Sequence, residues 1–138
     1  VTALSESVGD VVAEREYHLS RDTLVRYAGA SGDFNPIHYR DDVALSVGLE
    51  GVLAHGMLTM GVAVQPVVDW LGTRGTVVDY SVRFTRPVLV DPVDGATVTV
   101  VAKLAVVDEE GARIDLTVSA AGATVLGKAQ VRVALTAP

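Results

Sequence analysis

The 138-residue sequence contains no cysteine. That absence excludes disulfides, thiolate zinc sites, iron–sulfur clusters and a cysteine nucleophile. Positive charge is also scarce, with eleven Lys and Arg against seventeen Asp and Glu and a formal net charge of -6. Broad electrostatic binding of nucleic acid or of an anionic membrane is therefore not expected, and any anionic ligand has to meet a local basic patch. Val1 to Asp10 has no basic segment followed by an apolar stretch, so no secretory signal is read there and the cytoplasm is the default compartment. The one long uncharged run is Gly51 to Val68, eighteen residues. His55, Thr59, Gln65 and Pro66 interrupt it, Glu50 and Asp69 flank it, and no Lys or Arg anchors either end. A helix buried inside a soluble domain fits this run better than a membrane span.

What is present is apolar mass: 49% hydrophobic residues with 20% charged, enough for a substantial core. No repeat, low-complexity tract or linker divides the chain, which reads as a single domain over residues 1–138. A strand over Val11 to Leu19 is followed by three helical segments. Ser20 is placed to cap a helix running to about Ala30, and Asp41 to Val47 reads as a short helix stopped by Gly48. The third helix is expected from His55 or Gly56 to about Leu71. It is apolar all round, which predicts burial on every side, with Gly56 and Gly61 admitting close backbone approach.

From Val77 onward the pattern has period two. Val78, Tyr80, Val82 and Phe84 share one face, as do Val98, Val100, Ala102, Leu104 and Val106, and again Ala112, Ile114, Leu116, Val118 and Ala120. Asp108 to Gly111 turns the chain between the last two strands. In a final strand Val125, Gly127, Ala129, Val131 and Val133 are expected inward, after a turn near Gly122. Such a sheet needs a cover for its apolar face, and the third helix supplies one, giving an α+β architecture.

Chemistry concentrates in Gly32-Asp33-Phe34-Asn35-Pro36-Ile37-His38. Gly32 and Pro36 break helix on either side of Asp33, so a carboxyl and an imidazole sit on one restricted loop. Such a pair can hold a water while one group removes a proton and the other donates one. Spacing alone is equally accounted for by an Asx turn at Asp33 and a core or surface histidine at His38. A calcium loop is contradicted by Ile37 and His38 in its fifth and sixth positions. Zinc lacks a third ligand at helpful spacing, since neither His18 nor His55 supplies one, and no metal is expected.

The segment Tyr27 to Ser46, YAGASGDFNPIHYRDDVALS, resembles the signature of the MaoC-like and (R)-specific enoyl-CoA hydratase family. The likeness continues through Ala54-His55-Gly56-Met57 and Arg83-Phe84-Thr85-Arg86-Pro87-Val88. Within the family, GDFNPIH to AHGMLTMG is most similar to the catalytic B subunits of mycobacterial-type (3R)-hydroxyacyl-ACP dehydratases. The resemblance implies the hot dog fold, a long antiparallel sheet wrapped around a central helix, in agreement with the periodicity. It implies reversible hydration of a trans-2-enoyl thioester to the (3R)-hydroxyacyl thioester, linked to CoA or to a carrier protein. Asp33 and His38 are then the catalytic pair, Asn35 supports their loop, the Gly56 N–H forms an oxyanion hole, and no cofactor is called for. His55 reads as a structural residue at the helix start.

The carrier brings phosphate, for which Arg83 and Arg86 are candidates, with Arg40 a further basic residue after the loop. Val88 to Gly95 is longer than the family's usual turn, so the carrier-facing edge departs from the pattern. A thioesterase and a non-catalytic acyl-thioester-binding subunit share the fold, and the intact Asp33 and His38 argue against both. Family members join sheets side by side, so a homodimer is expected, or a heterodimer with a paralogous hot dog subunit.

Overall fold

A computed structural model describes residues 4–137. Val1–Ala3 of the segment read for a signal, and Pro138 of the single-domain span, lie outside the described residues. In chain order the elements are β1 (Val11–Leu19), α1 (Arg21–Ser31), α2 (Asp41–Ser46), α3 (Gly56–Leu71), β2 (Gly75–Phe84), β3 (Ala96–Asp108), β4 (Gly111–Ala120) and β5 (Ala123–Leu135). The strands form a five-stranded antiparallel sheet in the order β1-β3-β4-β5-β2, with α3 packed across its apolar face. This is the α+β architecture expected from the alternation, and it agrees with the hot dog fold that the resemblance implies.

Local chemistry explains most boundaries. Ser20 caps α1 in a reciprocal box, its hydroxyl accepting from the Thr23 N–H while the Thr23 hydroxyl accepts from the Ser20 N–H. Asp108 accepts from the Glu110 and Gly111 N–H groups and so closes the β3–β4 turn. Ala121 and Gly122 both take positive φ, 49° and 75°, which suits a two-residue hairpin between β4 and β5. The core joins Val98, Val100, Leu104, Ile114, Val118 and Val131 from the sheet to Ala63, Val67 and Leu71 from α3.

Three expectations are corrected. The helix α3 is not buried all round: Met57 is 60% exposed, Gly61 and Val68 face outward, and Gly61 has nothing within 4 Å of where a Cβ would lie. An all-apolar helix shows which surfaces want cover, but a one-layer sheet covers only one of them. In β2 a register shift between Val77 and Asp79 turns Val78 outward and leaves Val77 half-buried. In β5 the strict alternation fails at Lys128, whose φ of 44° marks an irregularity opposite the β4 shift between Leu116 and Val118. Leu126 is therefore buried beside Val125, in place of Gly127.

The segment after Pro87 is ordered by pairing. Ala54 N–H donates to the Val88 carbonyl and Val90 N–H to the Val52 carbonyl, with Leu53 bridged to Leu89. Arg21 donates to the Val90 carbonyl, and Asp91 accepts from the Val93 and Asp94 N–H groups. This segment thus braces residues 52–54, which lead into α3.

Candidate active site

The loop between α1 and α2 is shaped by nested turns. Gly32 ends α1 in the left-handed region at φ 77°, its N–H donating to the Ala28 carbonyl. Asp33 Oδ1 accepts from the Asn35 N–H at 3.2 Å, and Asn35 Oδ1 accepts from the Ile37 N–H at 3.2 Å. Pro36 then opens a single 3-10 turn, Pro36–His38, that carries His38 into the interior. The Asx turn weighed as an alternative role for Asp33 is present, but it uses only one carboxyl oxygen.

The other oxygen, Oδ2, lies 3.9 Å from His38 Nε2. That gap is too long for a direct hydrogen bond and suits a bridging water or hydroxyl. His38 is buried while the Asp33 side chain is 51% exposed, so the pair spans the boundary between core and solvent. His38 Nδ1 is 2.7 Å from the Leu53 carbonyl. A carbonyl only accepts, so Nδ1 carries the proton and, in the neutral ring, Nε2 presents its lone pair toward Asp33.

His55 also joins this cluster, a placement its spacing in sequence did not indicate. Only 1% exposed, it donates from Nε2 to the Asp33 carbonyl at 3.2 Å and stacks on His38 with ring centroids 3.8 Å apart. Tyr27 meets its ring edge-on at 4.7 Å. Burial pushes the His55 imidazole below its ordinary pKa, and the neighbouring His38 acts in the same direction, against the opposing hydrogen bond to Asp33. Asp33, His38 and His55 offer three donor atoms within 4.8 Å of one another. The donors nevertheless fit a shared metal poorly, because rings inclined by only 22° and stacked face to face do not aim their lone pairs at one point. His18 is elsewhere, packed at Gly95.

Beside the pair, α3 begins. His55 occupies its N-cap but supplies no side-chain cap, and among the described residues no acceptor takes the Gly56 N–H. Gly56, at the positive end of the helix dipole, lines a cavity of about 310 Å³. His38, Gly56, Thr59, Phe84, Val125 and Leu126 are among its walls. Arg86 also lines the cavity, whereas Arg83 does not. Neither arginine makes an ion pair among the described residues. Arg40 pairs with Asp42, and the remaining arginines are likewise engaged by carboxylates.

Of the residues expected from the sequence, Asp33 and His38 thus face one another on a loop shaped by Asn35, and His38 and Gly56 line one cavity. The sequence reading did not include the His55 contacts, the Leu53 carbonyl, Thr59 or Leu126, for which the only signal was proximity to Gly56 or an unusually apolar strand.

A family model described as MaoC like domain matches residues 5–124. The chain is 40% identical over 70 residues to 3-hydroxyacyl-thioester dehydratase X of Mycobacterium tuberculosis, covering 51% of this chain and 24% of that protein. It is 36% identical over 87 residues to (R)-specific enoyl-CoA hydratase of Rhodospirillum rubrum, covering 59% and 58%. The chain thus spans well under two thirds of either relative. Among solved structures, a MaoC-like dehydratase superposes with a TM-score of 0.88 at 34% identity, over 96% of this chain and 41% of that one. The ChsH1-ChsH2 complex from Mycobacterium tuberculosis shares the fold, with a TM-score of 0.83 at 20% identity over 94% of this chain and 98% of that one. Among the described residues no helix is long and apolar enough to cross a membrane.

Proposed function

The chain belongs to the MaoC-like domain family, and from that premise we propose that it hydrates trans-2-enoyl thioesters reversibly to (3R)-3-hydroxyacyl thioesters. The single observation that carries this reading is the 3.9 Å gap between Asp33 Oδ2 and His38 Nε2, with His38 sharing a cavity wall with Gly56, whose N–H has no acceptor among the described residues. A water in that gap is held by both groups. As its oxygen bonds to C3, its proton passes to one member of the pair, and the π electrons move through C2 onto the thioester oxygen. The Gly56 N–H and the α3 dipole stabilise that oxyanion. C2 then takes a proton from the pair on the same face, so one water has added and the enzyme is unchanged. Dehydration is the reverse. With both groups on one side of the bound enoyl unit, a single configuration results, and the family's is (3R).

Asn35 holds the loop through its bond to the Ile37 N–H. Arg86, unpaired and at the cavity wall, suits the phosphate of CoA or of a carrier-bound phosphopantetheine, with Arg83 as a more distant contact. We read the chain as one catalytic unit of cytoplasmic acyl-thioester metabolism, working without a cofactor. The outward apolar face of α3, with Met57 and Val68 exposed, favours a second hot dog chain, either identical or paralogous.

The test is absorbance of crotonyl-CoA with chiral analysis of the product. Loss of conjugation with (3R)-3-hydroxybutyryl-CoA is the expected result. Thiol release without hydration indicates a thioesterase, no change indicates a binding subunit, and a mainly (3S) product contradicts the assignment.

A further inference from the structure

Resting on the hydratase reading above, we infer that His55 is a positioning residue that ties the Asp33 loop, the His38 ring and the start of α3 into one unit. Beside its edge-on contact with Tyr27, His55 makes three contacts that join these parts. Its Nε2–H donates to the Asp33 carbonyl, its ring face lies against His38 at 3.8 Å, and its own carbonyl accepts the Thr59 N–H as α3 begins. The loop is tied to residue 53 by the Leu53 N–H donating to the Ile37 carbonyl and by His38 Nδ1 donating to the Leu53 carbonyl, but the other hydrogen bonds of Asp33 itself are to its near neighbours Ser31 and Asn35. The His55 bond is its link across 22 residues to the helix that carries Gly56.

The residue type argues for this role over simple helix stability. An N-cap chosen for the helix turns a short oxygen-bearing side chain onto the first N–H groups, as Ser20 does for α1. His55 does the opposite. It leaves the α3 donors uncapped and turns its imidazole back onto the catalytic loop. With the proton on Nε2, its buried Nδ1 has no hydrogen-bond partner among the described residues. An unsatisfied buried acceptor is costly to stability and is the kind of feature kept for what the rest of the ring does.

Two polar functions can be separated by substitution. His55→Gln keeps a donor at the Nε2 position and discards the ring, whereas His55→Phe keeps a flat ring against His38 and discards the donor. Misplacement of a reacting group by about 1 Å costs on the order of 100-fold in rate. His55→Ala and His55→Phe are therefore expected to lower kcat by roughly 10- to 100-fold with KM little changed. His55→Gln should recover most of the loss. Because His55 acts through Asp33, the double variant Asp33→Asn with His55→Ala should be scarcely slower than Asp33→Asn alone.

The experiment measures kcat and KM for crotonyl-CoA hydration in these variants, each checked by circular dichroism and thermal melt. It also records imidazole nitrogen shifts of the unsubstituted chain by long-range 1H–15N correlation. His55 protonated on Nε2, with rescue by Gln and a non-multiplying double variant, supports the inference. Near-normal kcat in a folded His55→Phe, Gln no better than Phe, multiplying losses, or a proton on His55 Nδ1 overturns it. If Ala, Phe and Gln all fail to fold, His55 is a folding requirement and the inference is likewise overturned. The nitrogen shifts do not depend on turnover, so an inactive wild-type chain overturns the proposed function while the His55 bond is still judged.

Discussion

The position of the Cβ that Gly56 lacks is 2.9 Å from Cε1 of Phe84. The ring of β2 thus rests on the first turn of α3, at the very donor proposed for the thioester oxygen. Gly56→Ala must displace the ring or the helix start. Phe84 is 57% exposed and free to swing, so stability should change by less than about 1 kcal/mol, aided by the better helix propensity of Ala. Turnover is more sensitive, because a shift of about 1 Å at an oxyanion donor costs on the order of 100-fold. The expected outcome is a kcat lowered by roughly 10- to 100-fold with a nearly unchanged melt, read by crotonyl-CoA hydration beside calorimetry.

Asp33→Asn and His38→Ala should each remove about 100- to 10,000-fold of the rate, the usual loss of a general acid or base. Both groups face one 3.9 Å gap, so removing either disables the unit. The double variant is expected to be little worse than the poorer single one. Single-turnover rates on folded protein check this, and a folded variant retaining near-normal hydration would show that the pair is misassigned.

Much of the fold and of the catalytic loop is legible in the sequence. Period two in Val98 to Leu104 and Ile114 to Val118 reported the sheet face correctly, because β3 and β4 keep register with each other over that span. Where the register slips, at Val78 and Leu126, the pattern misleads locally, since a bulge turns the residues beside it to the other face while Ala129, Val131 and Val133 still point inward. The loop from Gly32 to His38 was legible because its chemistry is local: Gly, Asp, Asn and Pro dictate turns within a few residues. His55 was not, because its contacts to Asp33 and His38 depend on how α3 crosses the sheet. The open face of α3 was equally hidden, as composition records an apolar helix but not what covers it.

Arg86 gives a test of the carrier edge. It lines the cavity without an ion pair, so its charge is available to a phosphate. Arg86→Ala should raise KM for crotonyl-CoA by roughly 10-fold, about 1.4 kcal/mol, near the low end for a charged hydrogen bond. Arg83→Ala should do less. A short thioester without phosphate, such as the N-acetylcysteamine analogue, should show no Arg86 effect, and an equal effect on both substrates would assign the residue to structure.

Acid should weaken the fold in two stages. Burial holds the folded His55 below its ordinary value of 6.5, so the unfolded chain takes up that proton first. Stability from this group is complete above that value and falls as pH drops below it, until the folded ring also protonates. A second decline follows near and below 3.8. There Asp41, Asp91 and Asp108, held low by Arg21, by backbone N–H groups and by Arg132 respectively, begin to protonate. Thermal midpoints from pH 8 to pH 3 should show both stages, and His55→Gln should lose the upper one while keeping the lower.

The alkaline side rests on Tyr80. Its hydroxyl donates to the Met60 carbonyl at 2.7 Å, pinning β2 to α3, and burial raises its pKa from 10.0 to about 12. Above 10.0 the unfolded tyrosine releases its proton while the folded one keeps it, so stability from this group is full below that pH and declines up to about 12. Tyr80→Phe removes the hydrogen bond at a cost of about 1 kcal/mol at neutral pH. It also removes one titrating group, so its midpoint should fall less steeply than that of the unsubstituted chain as pH rises from 9 to 11. Because Met60 lies one turn beyond Gly56, a loosened α3 should appear as well in faster amide exchange at the start of that helix. Parallel alkaline slopes for the two proteins would mean that another group carries the high-pH transition.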